Sequence, residues 1–202
     1  MSQSTSIWAM TLGDFRDAVE SRSTPGCGAA AAASAGMGLA LVLKGLRITD
    51  GKHPDVERGE LIARGDARLA ELGRYADEDV EAFDAYLAAV KRPQDSDVER
   101  RARERAIQAA AERANRVPLA TARSCLEALR LSVEALTRTA DNLRSDTLAG
   151  GLMLHAALSS VLINVDANLA SLHDAAERES MAAERHALQR DADRHLQRLR
   201  SA

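Results

Sequence analysis

The segment Thr24-Pro25-Gly26-Cys27-Gly28, running straight into Ala29 to Ala33, constrains this chain more than any other. A glycine turn there opens a helix with almost no side chains, and so bare a backbone lets another chain or a flat ligand approach closely. The run continues through Ser34, Ala35, Gly36, Met37, Gly38, Leu39, Ala40, Leu41 and Val42. It is too apolar all round for a surface helix and too short for a membrane span, which predicts a central helix of a packed bundle. The first turn leaves N–H groups unpaired at the positive end of the helix dipole, so an anionic group could dock at Gly26 to Gly28. A small-residue helix crossing accounts for the same residues equally well.

The rest of the chain reads as helix after helix, with no strand alternation. A short helix is predicted from about Thr11, its N-cap, to Glu20. The Ala-rich helix is expected to fade near Arg47 to Thr49, with Gly51 and Pro54 punctuating the next connection. From Pro54 to about Val90 runs the longest pattern, which Pro93 ends. Ser96 or Asp97 can cap the next helix, whose early turns mix acids and arginines as a solvated face. Pro118 is expected to kink or break it, ahead of a new apolar stripe through Cys125, Leu126, Leu129 and Leu136. Ser145-Asp146 then caps a second central helix running to Val165. The charged tail from Ala175 to Arg200 belongs on the outside of the bundle, with fraying at its end. One all-α domain over residues 1–202 is the expectation, a bundle of about five to six helices around two apolar central ones, with 1–10 and 198–202 flexible.

Composition excludes several function classes. A formal net charge of -3 gives no general pull toward nucleic acid or anionic lipid. The arginine cluster from Arg100 to Arg116 is interleaved with acids and lacks aromatics, so no nucleic-acid partner is expected. No membrane partner is expected either. Two cysteines, Cys27 and Cys125, make no disulfide framework, and no signal segment opens the chain, which points to a reducing cytoplasm. His155, His173, His186 and His195 form no metal-binding pattern, so no metal is expected. Gly26-x-Gly28 lacks the Gly-Lys-Ser/Thr of a phosphate loop. Cys27, at a helix N-terminus, should have a lowered pKa but has no neighbouring histidine to serve as its base, and reads as a small residue that fits the turn.

The long helix holds the most useful chemical constellation. Tyr75, Asp79, Phe83 and Tyr86 follow i, i+4, i+8, i+11 and share one face, which sets a carboxylate inside an aromatic stripe. Such desolvation raises a carboxyl pKa, as a general acid or base working near neutrality requires. A structural, hydrogen-bonding carboxylate at a helix contact is the other reading. Asp77, Glu78, Glu81 and Asp84 are expected to point elsewhere, into solvent. In the second central helix Asn164 and Asn168 share a face and could present donors and acceptors to a nitrogen-rich ring, or bond to neighbouring helices.

Pro25-Gly26-Cys27-Gly28-Ala29, Met37-Gly38, Thr49-x-Gly51-Lys52, Asp79-x-x-Ala82-Phe83, Val117-Pro118-Leu119, Ser145-Asp146 and Asn164-Val165-x-x-Asn168 occur in this order. The ordered set resembles the formiminotransferase-cyclodeaminase C-terminal family, which includes stand-alone methenyltetrahydrofolate cyclohydrolases. That resemblance implies an all-helical homodimer acting on a folate one-carbon unit, its site in a cleft near the subunit interface. It also implies that Asp79 is the proton-transfer residue, and that the partner is a tetrahydrofolate derivative bound as substrate with no separate cofactor. Within such a site Gly26, Cys27 and Gly28 would line the bare turn. Tyr75, Phe83 or Tyr86 would stack on the pterin or aminobenzoate ring, Asn164 and Asn168 would bond to ring heteroatoms, and Lys52 or Arg47 would meet the glutamate tail.

Overall fold

A computed structural model describes residues 6–172 and 174–201, so His173 lies outside the described residues. Six α-helices build the described part: α1 (Leu12–Ser21), α2 (Cys27–Lys52), α3 (Val56–Val90), α4 (Asp97–Leu136), α5 (Arg144–Leu169) and α6 (Ala175–Ser201). Helices α2 and α5 lie against each other at the centre, α3 and α4 flank them, and α6 lies across α4 and α5.

Glycine decides how closely the central pair meets. A Cβ on Gly38 would stand 2.8 Å from the Gly150 carbonyl oxygen and 2.9 Å from Met153 Cβ, and one on Gly150 would strike the Gly38 carbonyl. The two backbones touch where only hydrogen fits. Around this crossing Leu39, Leu43 and Leu46 of α2 interlock with Leu72 of α3, Leu129 and Leu136 of α4, and Leu154, Leu158 and Leu162 of α5, all fully buried. Burying each such side chain stabilises the fold by about 1.5–3 kcal/mol before entropy is counted.

Side chains set most helix starts. Thr11 accepts from Asp14 N–H, Asp55 accepts from Arg58 N–H, and Ser96 with Glu99 closes a reciprocal capping box. The start of α5 departs from expectation: it begins at Arg144 out of a 3₁₀ turn (Asp141–Leu143) and has no side-chain cap. Ser145 and Asp146 therefore lie inside its first turn, and Asp146 pairs with Lys44 of α2 at 2.6 Å.

Two further boundaries differ from the pattern. Helix α2 does not fade at Thr49 but continues through Gly51 to Lys52, because Thr49 is buried, donates to the Gly45 carbonyl and accepts from Ala140 N–H. At 26 residues α2 is also longer than the apolar run suggested. By length and composition alone, α2 and the segment Asp141–Leu169 could each cross a bilayer; here they pack side by side as the core pair. Helix α4 is continuous through Pro118. Proline leaves the Ala114 carbonyl without its helical donor, and the Asn168 side chain of α5 donates to that oxygen at 2.9 Å, which keeps the backbone satisfied.

The expected flexible ends make contacts where they are described. Ser6 Oγ and Ile7 N–H both donate to Asp77, at 2.7 and 2.8 Å, and Trp8 Nε1 donates to the Gly73 carbonyl. Asp77 is thus not free in solvent; it ties the N-terminal segment to α3. At the other end Leu199 is buried against Gly151.

Candidate functional site

The first turn of α2 passes directly over Asp79. Gly26, at the N-cap, has no side chain with which to satisfy the free N–H groups behind it. Asp79 supplies that cap from α3, its Oδ2 accepting from Ala29 N–H at 2.9 Å. The anion suited to this helix end therefore belongs to the chain itself. Gly28 makes the approach possible, since a Cβ there would lie 2.7 Å from Oδ2 and closer still to Oδ1 and Cγ.

Two influences act on this carboxyl in opposite directions. Burial pushes it above the ordinary carboxylate range, and the Ala29 N–H, which favours the ionised form, only partly offsets that. Of the aromatic stripe, only Phe83 lines the cavity beside this carboxyl. Tyr75 is half-buried with the Arg74 guanidinium 5.2 Å from its ring centre, and Tyr86, also half-buried, does not line the cavity described below. Ala29 and Ala32 of α2, Ala76 and Val80 of α3, and Ile7 form one small buried cluster, with Phe15 packed against it.

Asp79 forms part of the wall of a cavity of about 250 Å³. Thr24, Gly26 and Cys27 line it from the turn and α2, Ala82 and Phe83 from α3, Ala114 from α4, and Asn164 and Asn168 from α5. Phe83 is 40% exposed, so its side chain is not wholly covered by the protein. The structure thus brings together Asp79, Gly26, Cys27, Phe83, Asn164 and Asn168. Gly28 lies just behind, filling the contact between α2 and the carboxylate. Tyr75 and Tyr86 share the face of α3 but not the cavity. Lys52 is in the last turn of α2, about 38 Å along the helix axis from Cys27 by the α-helical rise. Arg47 is paired with Asp66.

Cys27 is exposed at the rim, its thiol 3.6 Å from the Ser160 carbonyl. Its pKa is raised, not lowered as the helix N-terminus suggested, because burial and then the nearby Asp79 charge both disfavour the thiolate. Cys27 also borders a second hollow, between Ala30 and Ser34 of α2 and Met153, Ala156 and Ser160 of α5. On the same two helices Met37 is 45% and Ile163 63% exposed, so apolar surface is left uncovered there. Elsewhere His155 meets Asp193 at 2.7 Å and Asp166 pairs with Arg185, so both act between α5 and α6, away from the cavity.

Four contributors escaped the sequence pattern: Ser23 and Thr24 in the wall, the Ala29 N–H, and the Ala114 carbonyl. The last was readable, since a proline inside a helix always frees the carbonyl four residues before it.

A methenyltetrahydrofolate cyclohydrolase from Methylorubrum extorquens is 34% identical over 171 residues, 82% of each chain. The crystal structure of a formiminotetrahydrofolate cyclodeaminase from Thermotoga maritima superposes with a TM-score of 0.84 at 25% identity, covering 96% of each chain. The model of the formiminotransferase-cyclodeaminase family matches residues 11–187, and the chain is a member of that family.

Proposed function

We propose that this chain is a folate one-carbon enzyme, a methenyltetrahydrofolate cyclohydrolase that also accepts formiminotetrahydrofolate as a cyclodeaminase, with Asp79 as the general acid/base. One observation carries the reading: a carboxyl raised by burial yet hydrogen-bonded by Ala29 N–H stands in the wall of a cavity with two amides and a phenyl ring. The names of the two relatives support the substrate class.

The chemistry fits a lone acid. In 5,10-methenyltetrahydrofolate the carbon between N5 and N10 is a cationic amidinium, already electrophilic, so no metal is needed to activate it. Water adds to that carbon while ionised Asp79 takes its proton. Asp79 returns the proton to N5, the C–N5 bond breaks, and 10-formyltetrahydrofolate leaves; a proton is released overall. With the protonated formimino substrate, N10 attacks the formimino carbon, Asp79 takes the N10 proton and passes it to the amino group, and the bond from carbon to that amino group breaks to give ammonia and the methenyl-folate. The Ala29 N–H keeps the ionised form accessible and holds the oxygen in place between the two transfers.

A cavity of about 250 Å³ takes one ring system but not a whole folate, since drug-sized ligands occupy roughly 300–1,000 Å³. We assign the pterin to it, stacked on Phe83 and bonded by Asn164 and Asn168. A second copy of the chain then covers the apolar face that Cys27 joins to the cavity and completes the site as a homodimer. The free thiols of Cys27 and Cys125 suit a reducing cytoplasm.

The test offers methenyl- and formimino-folate side by side to wild type and Asp79→Asn. Wild type is expected to accelerate loss of the methenyl near-ultraviolet absorbance and release of ammonia, and the variant to lose about 10²–10⁴-fold of each rate. Equal rates for the two proteins remove Asp79 from the mechanism.

A further inference from the structure

Pro118 is buried in the middle of α4, a helix that runs through it unbroken. Having no N–H, it leaves the Ala114 carbonyl without a partner, and Asn168 Nδ2 takes that place at 2.9 Å. Asn168 is also fixed through its backbone: its carbonyl accepts from Asn115 Nδ2 at 3.3 Å and from Ser171 Oγ at 2.6 Å. Asn115 is itself 0% exposed. The last turn of α5 is therefore stitched to α4 on both sides of the amide.

A primary amide has a donor end and an acceptor end. The donor end of Asn168 is committed to Ala114, and its Oδ1 makes no hydrogen bond among the described residues, although Asn168 and Ala114 both line the Asp79 cavity. Asn164, one turn earlier on the same face, has no side-chain hydrogen bond among the described residues and can present either end. The cavity thus holds one adaptable amide and one whose polarity is set by a proline on another helix.

We propose that Pro118 is a positioning residue that fixes Asn168 as an acceptor, so that this end of the cavity selects a ligand N–H donor. Resting on the folate reading above, this assigns the 2-amino and N3–H edge of the pterin to Asn168 and excludes the glutamate tail, whose carboxylates have no donor to offer.

Four proteins test it: wild type, Asn168→Asp, Pro118→Ala and the double variant, measured for melting temperature without ligand and for KM and kcat on 5,10-methenyltetrahydrofolate. In the wild-type background Asn168→Asp sets a carboxylate against an Ala114 carbonyl that has no other donor, and melting falls by about 2–10 °C. Pro118→Ala returns an N–H to Ala114. In that background Asn168→Asp is expected to cost less than about 2 °C. Pro118→Ala alone frees the amide to turn, and KM rises about tenfold with a smaller change in kcat. Adding Asn168→Asp, which can only accept, reverses that rise.

Melting losses that simply add across the two positions overturn the polarity device. A double variant whose KM is no lower than that of Pro118→Ala overturns the selection of a donor. If wild type turns over neither methenyl- nor formimino-folate, the folate reading and the pterin assignment fall together, while the melting comparison still decides whether Pro118 sets the amide.

Discussion

Replacing Gly28 with alanine isolates the contact on which the proposed chemistry depends. The added methyl would stand 2.7 Å from Asp79 Oδ2 and nearer to Oδ1 and Cγ, whereas unstrained contact needs about 3.5 Å. The carboxylate must withdraw by roughly 1.5 Å to clear its nearest atom, and its 2.9 Å bond to Ala29 N–H then exceeds hydrogen-bonding distance. Losing a bond to a charged group costs about 1.5–3 kcal/mol. Alanine restores about 1 kcal/mol of helix propensity, so the net loss is about 0.5–2 kcal/mol, or a fall in Tm of about 1–8 °C. Activity should suffer far more, since a misplacement of about 1 Å costs on the order of 10²-fold. Steady-state turnover of methenyl-folate and a thermal melt on the same preparation give both quantities. Gly26→Ala is the stability control, since a Cβ there meets nothing within 4 Å. A Gly28→Ala enzyme with kcat within about threefold of wild type would show that the Asp79 geometry is not the working one.

Asp79→Asn should melt higher than wild type at neutral pH even as activity disappears. A carboxyl raised in the folded state contributes most below its unfolded value of 3.8 and loses that contribution as pH rises through the folded value, so the gap between the two melts must open with pH and then level off. In a pH–rate profile, kcat/KM for wild type should fall on the acid side as Asp79 protonates, at a pH above that of an ordinary aspartate; a flat acid limb contradicts this assignment. Alkylation of Cys27 by iodoacetamide at pH 7–8 should be slow and should quicken in Asp79→Asn, which removes the charge that disfavours the thiolate; unchanged kinetics would refute that coupling. Cys125, buried and pushed up to about 12, should react only on unfolding. Gly38→Ala should destabilise by about 1–3 kcal/mol in chemical denaturation, because backbone and not a flexible side chain opposes the new methyl.

The two apolar helices were legible because periodicity and small residues constrain packing directly: no arrangement but a central one buries Ala31, Ala35, Leu39 and Val42 together with Leu154, Leu158 and Val161. Helix ends were less so, since they depend on tertiary partners. Thr49 prolongs α2 only because Ala140 lies across from it, and Pro118 leaves α4 whole only because Asn168 reaches its orphaned carbonyl. At the site, helical spacing correctly grouped Asp79 with Phe83 and Asn164 with Asn168, pairs on single helices. It could not say that Tyr75 and Tyr86 do not line the cavity, or that Lys52 ends up a whole helix away, because those outcomes depend on how helices cross.

The same bareness that makes α2 a core helix also makes the acid. A side-chain cap at position 26 would satisfy Ala29 N–H locally and leave Asp79 without a partner on α2. A side chain at position 28 would hold the carboxylate away altogether. With neither present, the helix end must be capped from α3, and the capping group is drawn under the backbone and out of water. Burial then raises its pKa while the cap bond keeps the ionised form within reach. A carboxyl that titrates above the ordinary aspartate range therefore follows from two missing side chains and one well-placed carboxylate.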